Sequence, residues 1–521
     1  MNKKSGALRT VTIMMIITFA GKALGLLRDS AVGSYYGTDS PTGAAFNYAS
    51  VLPRMFMDVL FSSAIAASFI PVFNETMERQ GRDKAFKLGH NFISVIFTAS
   101  TLVTIVCMAL ASPIIRIYDG GKSFEAISIG ISLFRIMLPT IVLGCLAFSL
   151  TGVLQSLGEF SIPAAMGLVS NAIILLYFYL FMDRFQVTGL CVAYVAGWLA
   201  QFLIQVPFLK KNKFGFRFHI DLRDNGLRQI ALLMLPVMVS TWVTPLNVLV
   251  NGKAALTDVY GIRSFNAITF ANNLYAVLSG VLVLSVTNVI FPKLSVQAAN
   301  ADLKGFRETM SQTIRALFFL LVPMSFGLIA LSRPIVRMFY QYRQFTAQDT
   351  DLTSAALVCF SVGICGFGLQ NILSRGFYAF KEGKAPMLTS VLAIIANLTL
   401  SFSLVRLLGS GGPALASSIS ISIAAVIMLW LMNRKVKGIV NRHLFKDLLK
   451  MLLIGFVMLW VVVYTRDYLS ARLVDNITGR IWVIALPTLT GAAIYIGLSL
   501  LVRLPEAMTV LGILKKYVRK G

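Results

Sequence analysis

Runs of twenty or more apolar residues, separated by short polar connections, recur from one end of the 521-residue chain to the other. Coiled as an α-helix, a run of that length matches the hydrocarbon thickness of a bilayer. The pattern predicts fourteen spans, at residues 8–36, 42–73, 85–112, 124–156, 161–183, 187–209, 226–252, 263–292, 305–332, 350–380, 385–407, 412–433, 448–466 and 480–502. No polar stretch is long enough for an extramembrane catalytic module. The predicted fold is an all-α polytopic membrane protein. The opening MNKKSGALRT is basic, like the leading region of a signal peptide. The apolar run behind it is too long, carries charge and lacks a small-residue cleavage site, so it reads as a retained first span.

The pattern also repeats. Residues 109–118 read ALASPIIRIY and residues 330–339 read ALSRPIVRMF, an offset of 221. Pro71 and Pro113 are 42 residues apart, as are Pro292 and Pro334. Pro163 and Pro386 are offset by 223, as are Gly189 and Gly412. Spans one to six are therefore duplicated as spans seven to twelve, with thirteen and fourteen appended. An even number of spans per copy makes these parallel repeats, related by an axis along the membrane normal. The implied organisation is a first lobe at 1–218, a second at 219–440, and the appended pair with a basic tail at 441–521. Transporters of this design hold substrate between the halves and alternate access by rocking them. A duplicated scaffold without transport is the alternative.

Composition sharpens the picture. Only 13% of residues are charged, about half the usual share of a soluble domain. The net charge of +25 would suit nucleic acid if it were clustered on one surface. Instead the basic residues sit between spans, as topology signals and contacts with anionic lipid headgroups. With a cytoplasmic N-terminus, inside segments hold 30 of the 47 basic residues and outside loops hold 12, which places both termini in the cytoplasm. Five cysteines, all within apolar runs, and three histidines show no metal-ligand spacing, so no metal or cofactor is expected.

Five basic residues lie inside spans: Lys22, Arg28, Arg54, Arg135 and Arg315. Arg315 is near the cytoplasmic start of span nine, where it can snorkel. Each of the others costs about 2.5–3.5 kcal/mol at the bilayer centre if it faces lipid. They must face water, a counter-charge or an anionic substrate. Arg54 and Asp58 form an i, i+4 pair, and Arg28 adjoins Asp29; helix-locking ion pairs are the structural alternative for these. Lys22 has no partner in its own helix nearer than Asp29, two turns away, and favours an anion site. Arg135, four residues before Pro139, fits cavity lining and helix packing equally. Gly21 and Gly25 form a small-xxx-small step that reads as close helix packing.

Polar stripes run beside these charges. Asn47, Ser50, Arg54, Asp58 and Ser62 share one face of span two. Span seven carries Ser240, Thr244, Asn247 and Asn251. Span eight carries Asn266, Thr269 and Asn273, with Asn272 alongside. Spans one and seven, and two and eight, are repeat equivalents. The stripes imply a polar cavity lined by these four spans, cationic in its first half and suited to an anionic substrate. Spans thirteen and fourteen, strongly apolar and outside the repeat, would flank a lipid-tail groove.

Several stretches, LGLLRD (24–29), FSIPA (160–164), FPKLS (291–295), YRQFTAQD (342–349) and GFYAFKEGKAP (376–386), in this order and spacing, resemble the MviN/MurJ lipid II flippases. These belong to the multidrug/oligosaccharidyl-lipid/polysaccharide exporter superfamily, and the resemblance covers essentially the whole chain. It implies a non-enzymatic flippase of the bacterial cytoplasmic membrane. The cargo would be the undecaprenyl-pyrophosphate-linked peptidoglycan precursor, moved from the cytoplasmic to the outer leaflet. Cavity cations would hold the pyrophosphate: Lys22 matches a position that is usually arginine, and Arg28 matches a cavity arginine directly. The resemblance further implies a lipid-tail groove at spans thirteen and fourteen, and a monomeric transporter associated with the cell-wall synthesis machinery.

The chain departs from the family at two places. Span two has Met57-Asp58, then Ser62, where adjacent arginines and a glutamate are common. Span eight has Asn272-Asn273 where Asp-Arg is frequent. Arg54 would replace part of the missing charge, and a related polyprenyl-linked saccharide stays open as cargo. Membrane potential or a cation gradient would drive the cycle, with Asp29 or Asp58 as coupling site. A membrane glycosyltransferase is the competing class. It needs an extracytoplasmic carboxylate base, and only Asp39, Asp119, Asp258 and Asp349 are so placed, in short loops without a second motif.

Overall fold

The computed structural model describes residues 3–57, 63–119, 124–241, 243–380 and 382–508, which are helical with short connections and no strand among them. The chain forms two compact units, Met1–Leu249 and Val250–Gly521. The first contains α1 (Lys3–Tyr36), α2 (Pro41–Met57), α3 (Ser63–Gln80), α4 (Arg82–Ala109), α5 (Ala111–Asp119), α6 (Phe124–Met137) and α7 (Pro139–Ser156). It continues through α8 (Ser161–Leu180), α9 (Met182–Leu203), α10 (Val206–Lys211) and α11 (Asn225–Thr241). The division falls inside α12 (Val243–Ala255), because α11 packs on α3 and α4. The second unit contains α13 (Ile262–Ala299), α14 (Leu303–Tyr340), α15 (Ala347–Val362), α16 (Ile364–Ala379), α17 (Lys384–Leu408), α18 (Gly411–Lys435), α19 (Arg442–Arg472) and α20 (Ile477–Leu501).

Among the described residues, nine helices are long and apolar enough to cross a membrane, or ten when the bent pair α15–α16 counts as one span. The other four predicted spans also lie on helix: α1, α2 with α3, α11 with α12, and α13. Span four breaks at Leu138, where Pro139 opens α7; proline has no N–H to continue the ladder but suits a first helical turn. Span ten bends by 43° at Gly363. There a Cβ would sit 2.7 Å from Ser418 Cα of α18. Ser418 Oγ donates to the Cys359 carbonyl at 2.6 Å, an acceptor that a broken helix would otherwise leave unpaired, and to the Phe360 carbonyl at 3.2 Å.

The same helix pairs pack in both units. The α2–α6 contact of the first corresponds to α13–α15 of the second, α7–α9 to α16–α18, and α8–α9 to α17–α18. The repeated glycines perform the same task. A Cβ on Gly189 would lie 2.4 Å from the Tyr177 hydroxyl, and one on Gly412 would lie 2.4 Å from the Leu404 carbonyl. Both sit in the tight hairpin between a unit's fifth and sixth spans. The obstruction at Gly412 is backbone, which cannot swing aside. Gly412→Ala is therefore expected to destabilise the protein by about 1–3 kcal/mol, read as a lowered melting temperature in detergent.

The appended helices α19 and α20 pack on each other and on α14. Arg315 does not reach for headgroups as the sequence suggests. Its guanidinium meets Glu506 at 3.1 Å and Asp447 at 3.9 Å, so two acids from the appended segment neutralise it. Burial pushes the Glu506 carboxyl above its ordinary range. At the other end of α14, Arg337 and Arg480 share Asp475 in the α19–α20 turn, with Arg480 Nε at 2.8 Å.

Hydrogen bonding from Arg480 and the charge of Arg337 hold the Asp475 carboxyl below the usual range. For an acid with a depressed value, the stabilisation is complete above the unfolded value of about 3.9 and is lost as pH falls through the folded one. Hydrogen-exchange protection of the 473–480 turn, corrected for intrinsic rates, should stay flat from about pH 7 to 5. Loosening already at about pH 6 would contradict the clamp.

Candidate functional site

The approach of α1 to α8 sets the geometry of the first unit's site. Gly21 and Gly25 let the two helices close: a Cβ at Gly21 would stand 3.2 Å from Leu168 N, and one at Gly25 would stand 3.3 Å from the Asn171 amide. Three and seven residues on from these glycines, the same face of α1 presents Arg28 to α8. Asn171 joins the helices from both ends of its amide, with Nδ2 donating to the Gly21 carbonyl at 3.0 Å and Oδ1 accepting from Arg28 Nη1 at 2.9 Å. Arg28 Nε and Nη2 donate to Asp29 Oδ1 at 2.9 and 2.7 Å. The guanidinium lies 5.6 Å from the Tyr194 ring centroid of α9. The Arg28 and Asp29 side chains are only 16% and 11% exposed.

Arg54 of α2 joins this group electrostatically, acting on the Tyr194 hydroxyl together with Arg28 and Asp29. Four helices thus gather two guanidiniums, one carboxylate, one amide and one phenol. Arg28 is fixed in place and largely balanced by Asp29. Arg54 adds a second positive charge to the cluster, and Lys22 is exposed on α1. A fixed guanidinium and an exposed ammonium on one helix are groups suited to an anionic ligand with several oxygens.

The remaining predicted residues divide clearly. Asn47 and Ser50 are buried on α2, where Ser50 Oγ donates to the Asn47 carbonyl at 3.2 Å. Asp58 and Ser62 lie outside the described residues, and with them the predicted Arg54–Asp58 pair. Arg135 is exposed in the last turn of α6, where a cation opposes the helix dipole. It has no hydrogen bond or ion pair to the Arg28 cluster among the described residues. Asn247 is buried, with its Oδ1 unpartnered among the described residues. Asn272 and Asn273 are half-buried on α13.

Asn251 is engaged by neighbouring side chains on both atoms of its amide. Its Nδ2 donates to Ser417 Oγ at 2.7 Å, while its Oδ1 accepts from Asn397 Nδ2 at 3.1 Å and Ser401 Oγ at 3.3 Å. Ser401 and Ser417 each donate to Asn397 Oδ1 at 3.2 Å. This network of neutral groups fastens α12 to α17 and α18. It is the second unit's counterpart of the Arg28–Asn171 clasp between a first and a fifth span.

Asn171 and Tyr194 in the first unit, and Asn397, Ser401 and Ser417 in the second, were not singled out by the sequence pattern. A signal was present for the asparagines: a lone amide inside an apolar span must find a partner on a neighbouring helix.

Residues 33–481 match the family model described as lipid II flippase MurJ. A probable lipid II flippase MurJ of Treponema pallidum (strain Nichols) is 26% identical over 459 residues, covering 86% of this chain and 85% of that protein. A solved structure of a lipid II flippase MurJ in an inward closed conformation aligns with a TM-score of 0.78 at 24% identity, covering 94% of this chain and 99% of that one. An inward-facing multidrug resistance MATE transporter aligns with a TM-score of 0.65 at 12% identity, covering 82% and 98%. The two structural likenesses establish the fold.

Proposed function

The chain belongs to the MurJ lipid II flippase family, and from that premise we propose that it carries lipid II from the cytoplasmic to the outer leaflet of the bacterial inner membrane by alternating access. The family match over residues 33–481 carries this reading, and the charge on α1 supports it. Lipid II presents a pyrophosphate between its polyprenyl tail and its saccharide. Lys22 is exposed on a spanning helix, where a cation facing only lipid would be strongly unfavourable. A pyrophosphate supplies the missing counter-charge. Arg28, held by Asp29 and Asn171, contributes a fixed guanidinium beside it, and Arg54 a second. Asp29 then serves to position Arg28. The two repeat units are the rocking elements, and α19 and α20, packed on α14, flank the polyprenyl tail. Both termini are cytoplasmic, in keeping with the distribution of basic residues. The protein works as a monomer among anionic lipids, alongside the enzymes that polymerise its cargo.

The half-buried neutral pair Asn272-Asn273 favours one second reading, in which the cargo is another polyprenyl-linked oligosaccharide. Depletion in the native host separates the two. Lipid II accumulating in the inner leaflet supports the first; accumulation of a different polyprenyl-linked sugar, with lipid II at normal levels, overturns it.

A further inference from the structure

The second unit contains a cationic cavity that plays no part in the transport reading. It measures ≈ 430 Å³ and lies where the C-terminal ends of α14 and α19 meet the first turn of α20. Arg333, Arg337, Arg466 and Arg480 line it against two carboxylates, Asp467 and Asp475, and with Arg333 also paired to Asp351 one positive charge is left in excess.

Its walls are fixed. Arg480 donates to Asp475 at 2.8 Å and to the main-chain carbonyls of Arg337 and Gln341, both at 3.2 Å. Arg466 donates to the Ala330 carbonyl and pairs with Asp467 at 2.7 Å. Arg333 pairs with Asp351, which lies outside the lining, and 64% of the Arg333 side chain remains exposed. The first turn of α20 contributes Gly479 and with it the positive end of a helix dipole. Leu473, Val474 and Val483 continue the wall, which suits an amphiphile better than a free ion.

The depth of the cavity follows from α14. Arg315 and Arg337 each hold acids of the appended segment and are separated by about 33 Å of helix at about 1.5 Å per residue. That is close to the hydrocarbon thickness of about 30 Å. Charged clusters at this spacing bracket the bilayer core, so the cavity sits at the headgroup level of one leaflet, opposite Glu506.

We propose that this cavity binds the phosphate of a lipid headgroup. Its ligand is either the pyrophosphate of the cargo after translocation or the phosphate of an anionic phospholipid. Arginine forks match phosphate oxygens two at a time, and the apolar wall accepts the start of the chain. Assignment to the outer leaflet rests on the orientation given above; the site itself does not.

The test uses the full chain in phosphatidylcholine nanodiscs, titrated by calorimetry with inorganic pyrophosphate and, in a second arm, with short-chain phosphatidylglycerol. Ser470→Glu adds a negative charge to the lining without removing any arginine contact, and Arg333→Gln removes the most exposed cation. Each is expected to weaken binding by about tenfold or more, the loss expected of one charge-assisted hydrogen bond. A loss confined to pyrophosphate identifies the cargo as the source, and a loss in both arms identifies headgroup phosphate generally. No binding to wild type, or wild-type binding in both variants, overturns the proposal. Binding sensitive to Ser470→Glu in a protein that flips no lipid would keep this site and remove the transport reading instead.

Discussion

Replacing Lys22 with glutamate is expected to lower the flipping rate by at least about 100-fold while the protein still inserts and folds. Lys22 is exposed on α1 and belongs to no ion pair among the described residues, so its removal disturbs little packing. Its charge matters to the cargo instead. At about 4 Å and an effective dielectric constant of about 20, one pair of unit charges interacts by about 4 kcal/mol. Reversing the sign turns that attraction to a pyrophosphate into repulsion, and about 1.4 kcal/mol already accounts for a factor of ten. Lys22→Ala should fall between wild type and Lys22→Glu, and Lys22→Arg should retain activity. Flipping rates in proteoliposomes, beside melting temperatures of the same preparations, check this. A Lys22→Glu protein that melts far below wild type would place the residue in the fold rather than at the cargo.

The second large effect is structural. Asp29→Asn leaves Arg28 without its counter-charge at a site where the two side chains are only 16% and 11% exposed. Breaking a buried pair by removing one partner costs about 3–5 kcal/mol, whereas replacing both partners by apolar residues is often close to neutral. The single variant should therefore be markedly less stable than wild type, and Arg28→Leu/Asp29→Leu should recover much of the loss. Asn171→Leu should act in the same direction, because it strands both Arg28 Nη1 and the Gly21 carbonyl. Thermal unfolding of wild type, Arg28→Leu, Asp29→Leu and Arg28→Leu/Asp29→Leu, read as a double-mutant cycle, measures the coupling. Asp29→Asn melting with wild type would show that the arginine is solvated.

The duplication and the charged spans were legible in the sequence because each leaves a local mark. Gly189 and Gly412 recur at one offset because both sit where the chain approaches itself too closely for a Cβ. Lys22 and Arg28 stand out because charge is rare inside apolar runs. The partners were not legible. Arg28 bonds to Asn171, 143 residues away, and helical periodicity reports a face without naming what that face meets. The same gap misplaced Arg315, whose acids come from the appended segment. It also left unread the partners of Asn251, whose amide is engaged by Asn397, Ser401 and Ser417. A polar stripe shows that a helix needs polar company and leaves open whether water, a ligand or another helix provides it. Gly363 could be read as a weak point in span ten, but the Ser418 hydroxyl that makes the break tolerable there could not.

Recognition of a lipid-linked precursor's pyrophosphate by positive charge on α1 has a direct consequence for cargo choice. Reconstituted flipping of fluorescent lipid II, run beside the same polyprenyl saccharide carried on a neutral linkage, tests it most directly. Wild type is expected to move lipid II and discriminate against the neutral analogue, and Lys22→Glu to erase the difference. Equal transport of both lipids by wild type, or full lipid II transport by Lys22→Glu, would contradict it.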